Sequence, residues 1–430
     1  MEKILRFIEK LIPKPIYRFF QPFYHRFLAY SAAFLYGFPS RKLKVIGITG
    51  TNGKSTVVHM MTSILEEAGE KVVSVSSLRL KVGKREIKDA LKRTMPGRFV
   101  IQKLLRQGVD EGCKYAVLEI TSQGIEQFRH SGINFFMAVL TNVTPEHIES
   151  HGSFEKYRDA KTKLFKISKI NVLNKDDSSF ELFSKIFVPK KVFYSKKDLP
   201  ENLNLKLLGE FNKENAAAAF AATKELGISE EKIKFALEKI EGVPGRLEFI
   251  QKEPFVVVVD YAHTPDALRK VYQTLRSENP KFEIRNSKLI CILGAAGGGR
   301  DKWKRPEMGK IAAEFCDEII LTNEDPYDEN PESILKDIES GFSRNPKSEI
   351  RNPKQFQNSK SKIQNYGLWT MDYKLTLDRR EAIHEALKSA KPGDTVIITG
   401  KGAEQWIVGQ NGQKIPWDDR SVATEELRKL

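Results

Sequence analysis

Short runs of β-branched and aliphatic residues alternate with longer polar and amphipathic stretches along most of this chain of 430 residues. In the first half, each apolar run has the length of a buried parallel strand, and the sequence after it suits a loop followed by a helix. The alternation predicts an α/β fold whose central domain is a parallel sheet covered by helices. The predicted strands are residues 44–48, 71–75, 115–119 and 138–140.

A second alternation of the same kind begins after the turn-forming sequence Gly242-Val-Pro-Gly-Arg246. It places a domain boundary near Val243 and indicates a second, Rossmann-like sheet. We expect a helical N-terminal segment over residues 1–42, a central domain over 43–243 and a C-terminal domain over 244–430. The predicted strands of the C-terminal domain are 254–260, 288–293, 318–321, 366–371 and 394–399.

The formal net charge of +15 is concentrated in two segments. Residues 1–44 hold nine Lys and Arg against two acidic residues, and residues 343–364 hold six against one. Because the rest of the chain is close to neutral, the charge does not indicate a nucleic-acid-binding face on the main domains. Nucleic acid is therefore not an expected partner.

The N-terminal segment over residues 4–38 combines aromatic and aliphatic residues with Arg18, His25 and Arg26. Its longest charge-free run, residues 27–40, is too short to span a bilayer, and no small-residue cleavage site follows the basic start. Two interpretations remain open. The segment is either an amphipathic element in peripheral contact with anionic lipid, or a helix docked on its own protein or on a partner.

A short polar repeat occurs twice in the C-terminal half. The sequence at 281–288 recurs in similar form at 347–354, without helical or strand periodicity. We expect a low-complexity loop insertion over residues 335–365 that carries no function of its own.

Three cysteines, Cys113, Cys291 and Cys316, are far apart in the sequence and form no C-x-x-C pair. An odd number at such spacings supports neither a disulfide framework nor a zinc site. The cysteine pattern therefore predicts a protein of the reducing cytoplasm.

The sequence Val45-Ile-Gly-Ile-Thr-Gly-Thr-Asn-Gly-Lys-Ser-Thr56 describes a buried strand, a glycine-rich loop and the start of a helix. Backbone amides at a helix N-terminus, a lysine ammonium and a hydroxyl for Mg²⁺ together form a phosphate cradle. The loop is a variant form, because Ile48 stands where the strict P-loop pattern has glycine. It predicts a site for a nucleoside triphosphate.

Polar residues also follow two neighbouring predicted strands, at the edge where open α/β sheets bind ligands. Glu119 ends one strand and is suited to hold Mg²⁺ directly or through water. His147 and His151 follow the next strand within five residues of each other. Two histidines near a predicted phosphate site favour a functional role over a purely structural one.

Several motifs resemble the Mur ligases. In the second half, G-R-L-E at 245–248, D-Y-A-H-T-P-D at 260–266 and G-K-G-A-E at 400–404 resemble the MurE branch in particular. The resemblance extends from about residue 43 to the C-terminus and is interrupted by the repeat. The motifs similar to the Mur ligase ATPase domain are G-T-N-G-K-S at 50–55, E-I-T-S at 119–122, T-N-V-T-P-E-H-I-E-S-H-G at 141–152 and D-A-K-T-K-L-F at 159–165.

The resemblance implies an ATP-dependent amide ligase, in which ATP converts a carboxylate to an acyl phosphate that an amine then attacks. It implies the catalytic residues Lys54, Glu119, His147 and Lys161. The implied Mg²⁺ ligands are Ser55, Glu119, His147 and a carbamylated Lys161. The implied ATP contacts are Gly50, Thr51, Asn52, Gly53, Lys54, Ser55, Thr56, Asn215, Arg246 and Asp260.

The resemblance further implies a muramyl-peptide acceptor and an amino acid as substrates, in peptidoglycan precursor synthesis. Tyr327 replaces an arginine that would clamp a carboxylate of diaminopimelate, and Ala403 replaces a histidine. A uridine-binding domain is expected to be missing or replaced, because only some 42 residues precede the central domain. The implied substrate contacts are Thr94, where one hydroxyl of a Thr-Thr-Pro type segment is lost, Ser122, His263, Asp325, Tyr327, Gly400 and Glu404.

Two alternatives stay open. Another ligase of the same superfamily, of folylpolyglutamate, poly-amino-acid or MurT-like type, is disfavoured by D-Y-A-H-T-P-D. A non-catalytic ATP-binding scaffold at the membrane is disfavoured because it would not need Glu119, His147 and Lys161 together. The expected state is a cytoplasmic monomer, with the inner membrane surface as the alternative location.

Overall fold

The computed structural model describes residues 14–87, 94–278, 287–342, 362–366 and 369–430. The chain divides into two compact units. The second unit includes two stretches that precede the turn at Val243 in the chain. The first unit comprises the chain up to Thr144, Glu155–Leu205 and Lys213–Lys239, and the second comprises Pro145–Phe154, Lys206–Asn212 and Ile240–Leu430.

Within the described residues, the first unit is built on an eight-stranded sheet. Its strands are β1 (Lys44–Thr49), β2 (Val72–Val75), β3 (Leu80–Val82), β4 (Arg85–Ile87), β5 (Tyr115–Glu119), β6 (Phe135–Leu140), β7 (Ile170–Asn174) and β8 (Lys190–Tyr194). The order is β4-β3-β2-β5-β1-β6-β7-β8, and all pairs from β2 to β8 in this order are parallel. Strands β3 and β4 extend one edge in antiparallel fashion. Strands β5 and β7 are buried along their whole length, as parallel strands covered on both faces should be.

The second unit contains a seven-stranded sheet in its described part. Its strands are β9 (Glu248–Gln251), β10 (Val256–Asp260), β11 (Leu289–Leu293), β12 (Glu318–Leu321), β13 (Lys362–Tyr366), β14 (Trp369–Leu375) and β15 (Thr395–Thr399). The order is β13-β14-β12-β11-β15-β10-β9, with parallel pairing from β14 to β10 and antiparallel strands at both edges. A separate hairpin joins β16 (Trp406–Val408) to β17 (Lys414–Pro416).

Helices connect most of these strands. In the second unit, alternate residues of β10 pack on opposite faces of the sheet, Val258 into one buried cluster and Val257 into another. Both faces are therefore covered, as in a doubly wound fold. The helices are α1 (Lys14–Leu35), α2 (Lys54–Glu67), α3 (Arg98–Asp110), α4 (Ser122–Glu126), α5 (Ile148–His151), α6 (Phe154–Phe165), α7 (Phe180–Ser184), α8 (Glu210–Glu225), α9 (Glu230–Lys239), α10 (Pro265–Glu278), α11 (Lys304–Phe315), α12 (Pro331–Glu339), α13 (Arg379–Ser389) and α14 (Asp419–Leu427).

The predicted fold class, an α/β protein with a parallel sheet followed by a Rossmann-like sheet, is confirmed. Of the predicted loop insertion over 335–365, residues 335–339 belong to α12 and residues 362–365 to β13. Residues 343–361 lie outside the described part, as do residues 281–286 of the repeat. Among the described helices, none has both the length and the apolar character needed to cross a membrane.

The prediction of no disulfide was wrong for two of the three cysteines. Cys291 and Cys316 form a disulfide with a Cα–Cα distance of 6.1 Å. Cys291 lies in β11, and Cys316 directly follows α11 at the entrance to the adjacent strand β12. The parallel crossover brings together residues that are 25 positions apart in sequence, which spacing alone did not indicate. Cys113 is a buried free thiol.

Candidate active site

The glycine-rich loop connects β1 to α2 and has the backbone conformation that only glycine adopts easily. Gly50 has a φ of 155° and Gly53 a φ of 81°. A Cβ atom at Gly50 would overlap the hydroxyl of Thr141, and one at Gly53 would overlap the side chain of Asn215. Both glycines are therefore required by conformation and by space. Asn215, a predicted ATP contact on α8, lies directly against the loop.

The residues that follow β6 hold this loop in place. The backbone amide of Thr51 donates to the Asn142 carbonyl at 2.8 Å, and the amide of Asn52 donates to Asn142 Oδ1 at 2.9 Å. In return, Thr141 Oγ1 donates to the Asn52 carbonyl at 2.7 Å. The loop is thus fixed by the neighbouring strand before any ligand arrives. Sequence reasoning assigned no role to Thr141 and Asn142, although polar residues directly after a predicted strand were a usable signal.

Ser55 and Glu119 meet at the start of α2. Ser55 Oγ donates to Glu119 Oε2 at 2.7 Å, and the same oxygen accepts the Ser77 amide at 3.0 Å. Lys54 Nζ lies 4.0 Å from the other carboxylate oxygen. A cation, a hydroxyl and a buried carboxylate therefore converge at the positive end of a helix, where phosphate binds favourably. Ser77 is a member of this cluster that the sequence did not indicate.

The donor set of this cluster suits Mg²⁺. Hydroxyl and carboxylate oxygens are hard ligands, and Mg²⁺ usually takes only one or two protein carboxylates together with water and phosphate oxygens. Within the described residues, no group of three or more His, Cys, Asp or Glu side chains is placed to hold a metal ion. The residues therefore fit a magnesium ion that is bound together with a nucleotide, and do not form a protein-only metal cage.

Lys161 is the predicted carbamylated residue, and its side chain is almost completely buried, with 1% exposed. Its Nζ donates to the Gly50 carbonyl at 2.8 Å and lies 4.3 Å from the centre of the Tyr157 ring. Burial, together with the nearby Lys54 ammonium, holds the pKa of Lys161 well below its usual 10.5, although Glu119 opposes the shift. The neutral amine is thereby favoured, and a neutral amine is the form that reacts with CO₂.

Two predicted acceptor contacts also lie in the first unit. Ser122 is buried at the first position of α4, whose start is capped by the Thr121 side chain. Thr94 precedes Met95, and the Met95 sulfur packs so closely on Gly124 of α4 that a Cβ there would overlap it. The structure therefore brings the segment around Thr94 next to the helix that begins at Ser122.

The structure assigns His147 to the second compact unit, whereas Ser55, Glu119 and Lys161 belong to the first. His147 adopts a left-handed conformation with a φ of 57° at the start of α5. The next two backbone amides, of Ile148 and Glu149, donate to the Asp301 carboxylate at 3.0 Å each. The predicted metal ligands are thus divided between the two units, and the part of His147 in metal binding stays a prediction.

Asp260 and Arg246, both predicted ATP contacts, lie at the end of β10 in the second unit. The Asp260 carboxylate accepts the amides of Leu247 and Ala262 at 2.6 Å each. Burial raises the pKa of Asp260, while Arg246 and the two amides oppose this shift. The Arg246 guanidinium stacks 4.1 Å from the Tyr261 ring centre. Asp260 therefore fixes the backbone at Ala262 and at Leu247, and the latter contact positions the adjacent Arg246.

A buried lysine organises several predicted substrate contacts. Lys401 Nζ donates to Asp325 Oδ2 and to Glu404 Oε2, each at 2.8 Å. Glu404 also accepts the Tyr261 hydroxyl at 3.1 Å. Gly400 has a φ of 110°, and a Cβ there would lie 2.6 Å from Glu324 Oε2. Sequence reasoning missed Lys401 and Glu324, although both residues lie within recognised motifs, because the pairing of Lys401 with Asp325 joins positions 76 residues apart.

Tyr327 and His263 complete the cluster. Tyr327 is in a left-handed conformation, its ring covers Gly298, and its side chain hydrogen-bonds Arg300. His263 Nδ1 lies 2.8 Å from the Tyr261 carbonyl. Burial, followed by the Lys304 charge, holds the pKa of His263 well below 6.5, so its imidazole is neutral at physiological pH. Arg300 is a further cation in this cluster, and no role was predicted for it from the sequence.

A helix-capped phosphate loop beside a buried acid, on a parallel sheet, defines the first unit as an ATPase-type nucleotide-binding domain, and the second unit has a Rossmann-like sheet. Family models agree with this division. Residues 48–203 match the Mur ligase middle domain, and residues 245–402 match the Mur ligase glutamate ligase domain. The chain belongs to the Mur ligase family and is MurE-like, an ATP-dependent ligase that forms carbon–nitrogen bonds.

Two curated relatives illustrate the degree of similarity. The UDP-N-acetylmuramoyl-L-alanyl-D-glutamate--2,6-diaminopimelate ligase of Syntrophomonas wolfei is 35% identical over 93% of this chain and 81% of its own length. The enzyme of the same name from Aquifex aeolicus is 35% identical over 93% of this chain and 80% of its own length.

Solved structures show the same fold. A UDP-N-acetylmuramoyl-L-alanyl-D-glutamate--2,6-diaminopimelate ligase superposes with a TM-score of 0.54 at 28% identity, covering 90% of this chain and 78% of its own. Folylpolyglutamate synthase of Mycobacterium tuberculosis superposes with a TM-score of 0.64 at 16% identity, covering 86% of this chain and 91% of its own. The second similarity concerns the fold alone.

Proposed function

We propose that this enzyme adds an amino acid to a UDP-MurNAc-dipeptide-like acceptor, with conversion of ATP to ADP and phosphate, in peptidoglycan precursor synthesis. The observation that carries the proposal is the convergence of Lys54, Ser55, Glu119 and Lys161 around one loop, in a chain related to diaminopimelate-adding ligases. ATP transfers its γ-phosphoryl group to the acceptor carboxylate. The incoming amine then attacks the acyl phosphate, which releases phosphate and leaves an amide.

In this proposal the phosphate loop and Lys54 bind the β- and γ-phosphates. Ser55 and Glu119 hold Mg²⁺, and a carbamylated Lys161 supports it together with His147. A bound Mg²⁺ supplies positive charge that lowers the cost of bringing phosphate and carboxylate together. Asn215 contacts the adenine, and Arg246 and Asp260 form or position further contacts with the nucleotide.

We assign the amino acid to the cluster around Lys401. Asp325 and Glu404 face this lysine, and Gly400 leaves the space beside Glu324 that a side chain would fill. Tyr327 offers no guanidinium fork for a distal carboxylate. If the amino acid is diaminopimelate, Arg300, which interacts with Tyr327, is the cation that we expect to take over this contact. Thr94, Ser122 and His263 are assigned to the acceptor.

For the remaining partners, we propose Mg²⁺ as the metal, a monomer as the active form and the cytoplasm as the location. Peripheral contact with the inner membrane surface through residues 4–38 belongs to the same proposal. Of this segment, residues 4–13 lie outside the described part of the chain.

The proposal is tested by measuring phosphate release from ATP with the full chain across a matrix of muramyl acceptors and amino acids. The acceptors carry or lack UDP, and the amino acids include diaminopimelate and lysine. Release should require both an acceptor and one amino acid. Lys54→Gln should lower kcat/KM by at least about 100-fold, as loss of a charge that stabilises a transferring phosphoryl group does.

Lys103→Gln, at an exposed position on α3, is the matched control and should retain full activity. Phosphate release that needs no acceptor, or that responds to a folate and glutamate instead, would contradict the proposal.

A further inference from the structure

Helix α1 exposes a continuous aromatic face. Its outward side chains follow spacings of three and four residues and so share one side of the helix. Phe27 is 69% exposed and Phe34 is 77% exposed, although large apolar side chains are usually buried. An exposed apolar face of this kind marks an interaction site in a folded protein. Its members, here called the aromatic face, are Phe20, Phe23, Tyr24, Phe27, Tyr30, Phe34 and Leu35.

The opposite side of α1 is firmly seated on the first unit. Ala29, Ala32 and Ala33 are buried, and Gly132 approaches so closely that a Cβ on it would meet Ala33. The guanidinium of Arg26 stacks 4.6 Å from the Phe128 ring centre. The helix therefore has a fixed orientation, and the aromatic face is held outward.

The net positive charge of this region favours an anionic partner. The sequence Lys14–Leu35 contains Lys14, Arg18 and Arg26 and no acidic residue. Across residues 1–44, basic residues outnumber acidic ones by nine to two. A second copy of the helix would bring like charges together, whereas an anionic surface is complementary. Aromatic residues flanked by Lys and Arg are typical of helices that lie in the interface of a lipid bilayer.

We propose that α1 lies flat on an anionic lipid surface, with its aromatic face inserted between the headgroups and the net positive charge of the N-terminal segment complementing the lipid phosphates. This inference deepens the membrane contact proposed above for residues 4–38, and it concerns binding, so it does not depend on the ligase reaction.

Helix α1 also fixes which part of the first unit would face the lipid. It packs on α3, which begins at Arg98 directly after the segment Thr94 to Gly97. Arg129, which donates to the Met95 carbonyl at 2.5 Å, also faces His25 of α1 together with Arg98. The predicted acceptor segment therefore lies beside the lipid-binding helix, so bilayer binding brings the acceptor contacts close to the membrane surface.

The test is co-sedimentation of the full chain with vesicles of phosphatidylglycerol and phosphatidylcholine, compared with phosphatidylcholine alone. Binding should require the anionic lipid and should weaken as salt is raised. The variant Phe23→Ser/Phe27→Ser/Phe34→Ser should lose at least tenfold in partition coefficient. Lys14→Gln and Arg18→Gln should each lose about fivefold. Phe187→Ser removes a phenylalanine that is 92% exposed elsewhere in the first unit, and this control should bind normally.

Phosphate release without vesicles should be unchanged in the triple serine variant, which shows that it is folded. Equal sedimentation of the triple variant and the wild type would overturn the proposal. The proposal would also be overturned if the wild type did not bind vesicles but showed a doubled molar mass in light scattering that the triple variant lacked. That result would identify a second copy of the chain as the partner. A failed ligase assay with intact vesicle binding would leave this inference standing and reject only the proposed reaction.

Discussion

At the scale of single residues, Lys161 shows how burial changes the chemistry of a side chain. Its amine is removed from water and lies near Lys54, and both effects disfavour the ammonium form. The hydrogen bond to the Gly50 carbonyl holds the nitrogen directly under the phosphate loop. A carbamate formed there would add an anion at the place where Glu119 already supplies a carboxylate. The sequence alone cannot reveal this lowered pKa, because a buried lysine and an exposed lysine are the same residue type.

We expect Lys161→Ala to lose at least about 100-fold in ligation rate, because the metal loses an anionic support. Added short carboxylates such as formate or acetate should restore part of the rate by occupying the vacated space. The measurement is phosphate release in the presence of the acceptor and amino acid. Lys163→Ala changes an exposed lysine two positions further along α6 and should neither lose activity nor respond to carboxylates. Full activity of untreated Lys161→Ala would reject the assignment.

At the scale of elements, the carboxyl ends of neighbouring strands collect the polar residues of the site. Glu119 ends β5, and Thr141 and Asn142 follow β6 on the other side of β1, so the loop after β1 is held between them. In the second unit, Glu324 follows β12 and Gly400 follows β15, and both strands are neighbours of β11. The strand order, which no single sequence segment contains, thus decides which residues meet.

Glu324 gives a pH-dependent prediction at this scale. Burial, opposed by Lys401 and reinforced by Asp325, raises the pKa of Glu324 from 4.5 to about 7. Because the folded state holds this proton more tightly than the unfolded chain, its contribution to stability is complete below pH 4.5 and is lost as pH rises through 7. Glu324→Gln should therefore raise the free energy of unfolding relative to wild type at pH 8 by up to roughly 3 kcal/mol, with little difference at pH 4.5.

Urea unfolding of both proteins at the two pH values measures this difference. Glu332→Gln, at an exposed position in the first turn of α12, is the control and should show the same pH dependence as wild type. A stability gain for Glu324→Gln that is equal at both pH values would contradict the raised pKa.

At the scale of the whole molecule, sequence predicted the architecture well and the long-range pairs poorly. The buried strands β1, β5, β10 and β15 were recognisable because both faces of each are covered, which demands a continuous apolar run. Edge strands such as β4 and β9 carry exposed or half-exposed residues and gave no such run. Glu404 was identified through a motif, but the bond of Lys401 to Asp325, which joins positions 76 residues apart, depends on the folded chain. The Cys291–Cys316 disulfide was missed for the same reason.

The segment that carries His147 lies between two stretches of the first unit in the chain, but it belongs to the second unit. Residues Pro145–Phe154 belong to the second unit, where Lys304 forms a buried ion pair with Glu146 at 2.9 Å. Burial raises the pKa of Glu146 above its usual 4.5, and the charge and hydrogen bond of Lys304 oppose this shift. Removal of one partner from a buried pair leaves an uncompensated charge in a poorly solvated place.

Lys304→Met should therefore destabilise the protein by about 3–5 kcal/mol, and Glu146→Gln added to it should recover a large part of that loss. Lys302→Met, two positions before Lys304, removes an exposed lysine from its pair with Glu329, which keeps its bond to Arg305, and should cost no more than about 1 kcal/mol. Urea unfolding of the three variants and the wild type measures these differences. If Lys304→Met and Lys302→Met were equally stable, the buried pair would not be what holds the His147 segment to the second unit.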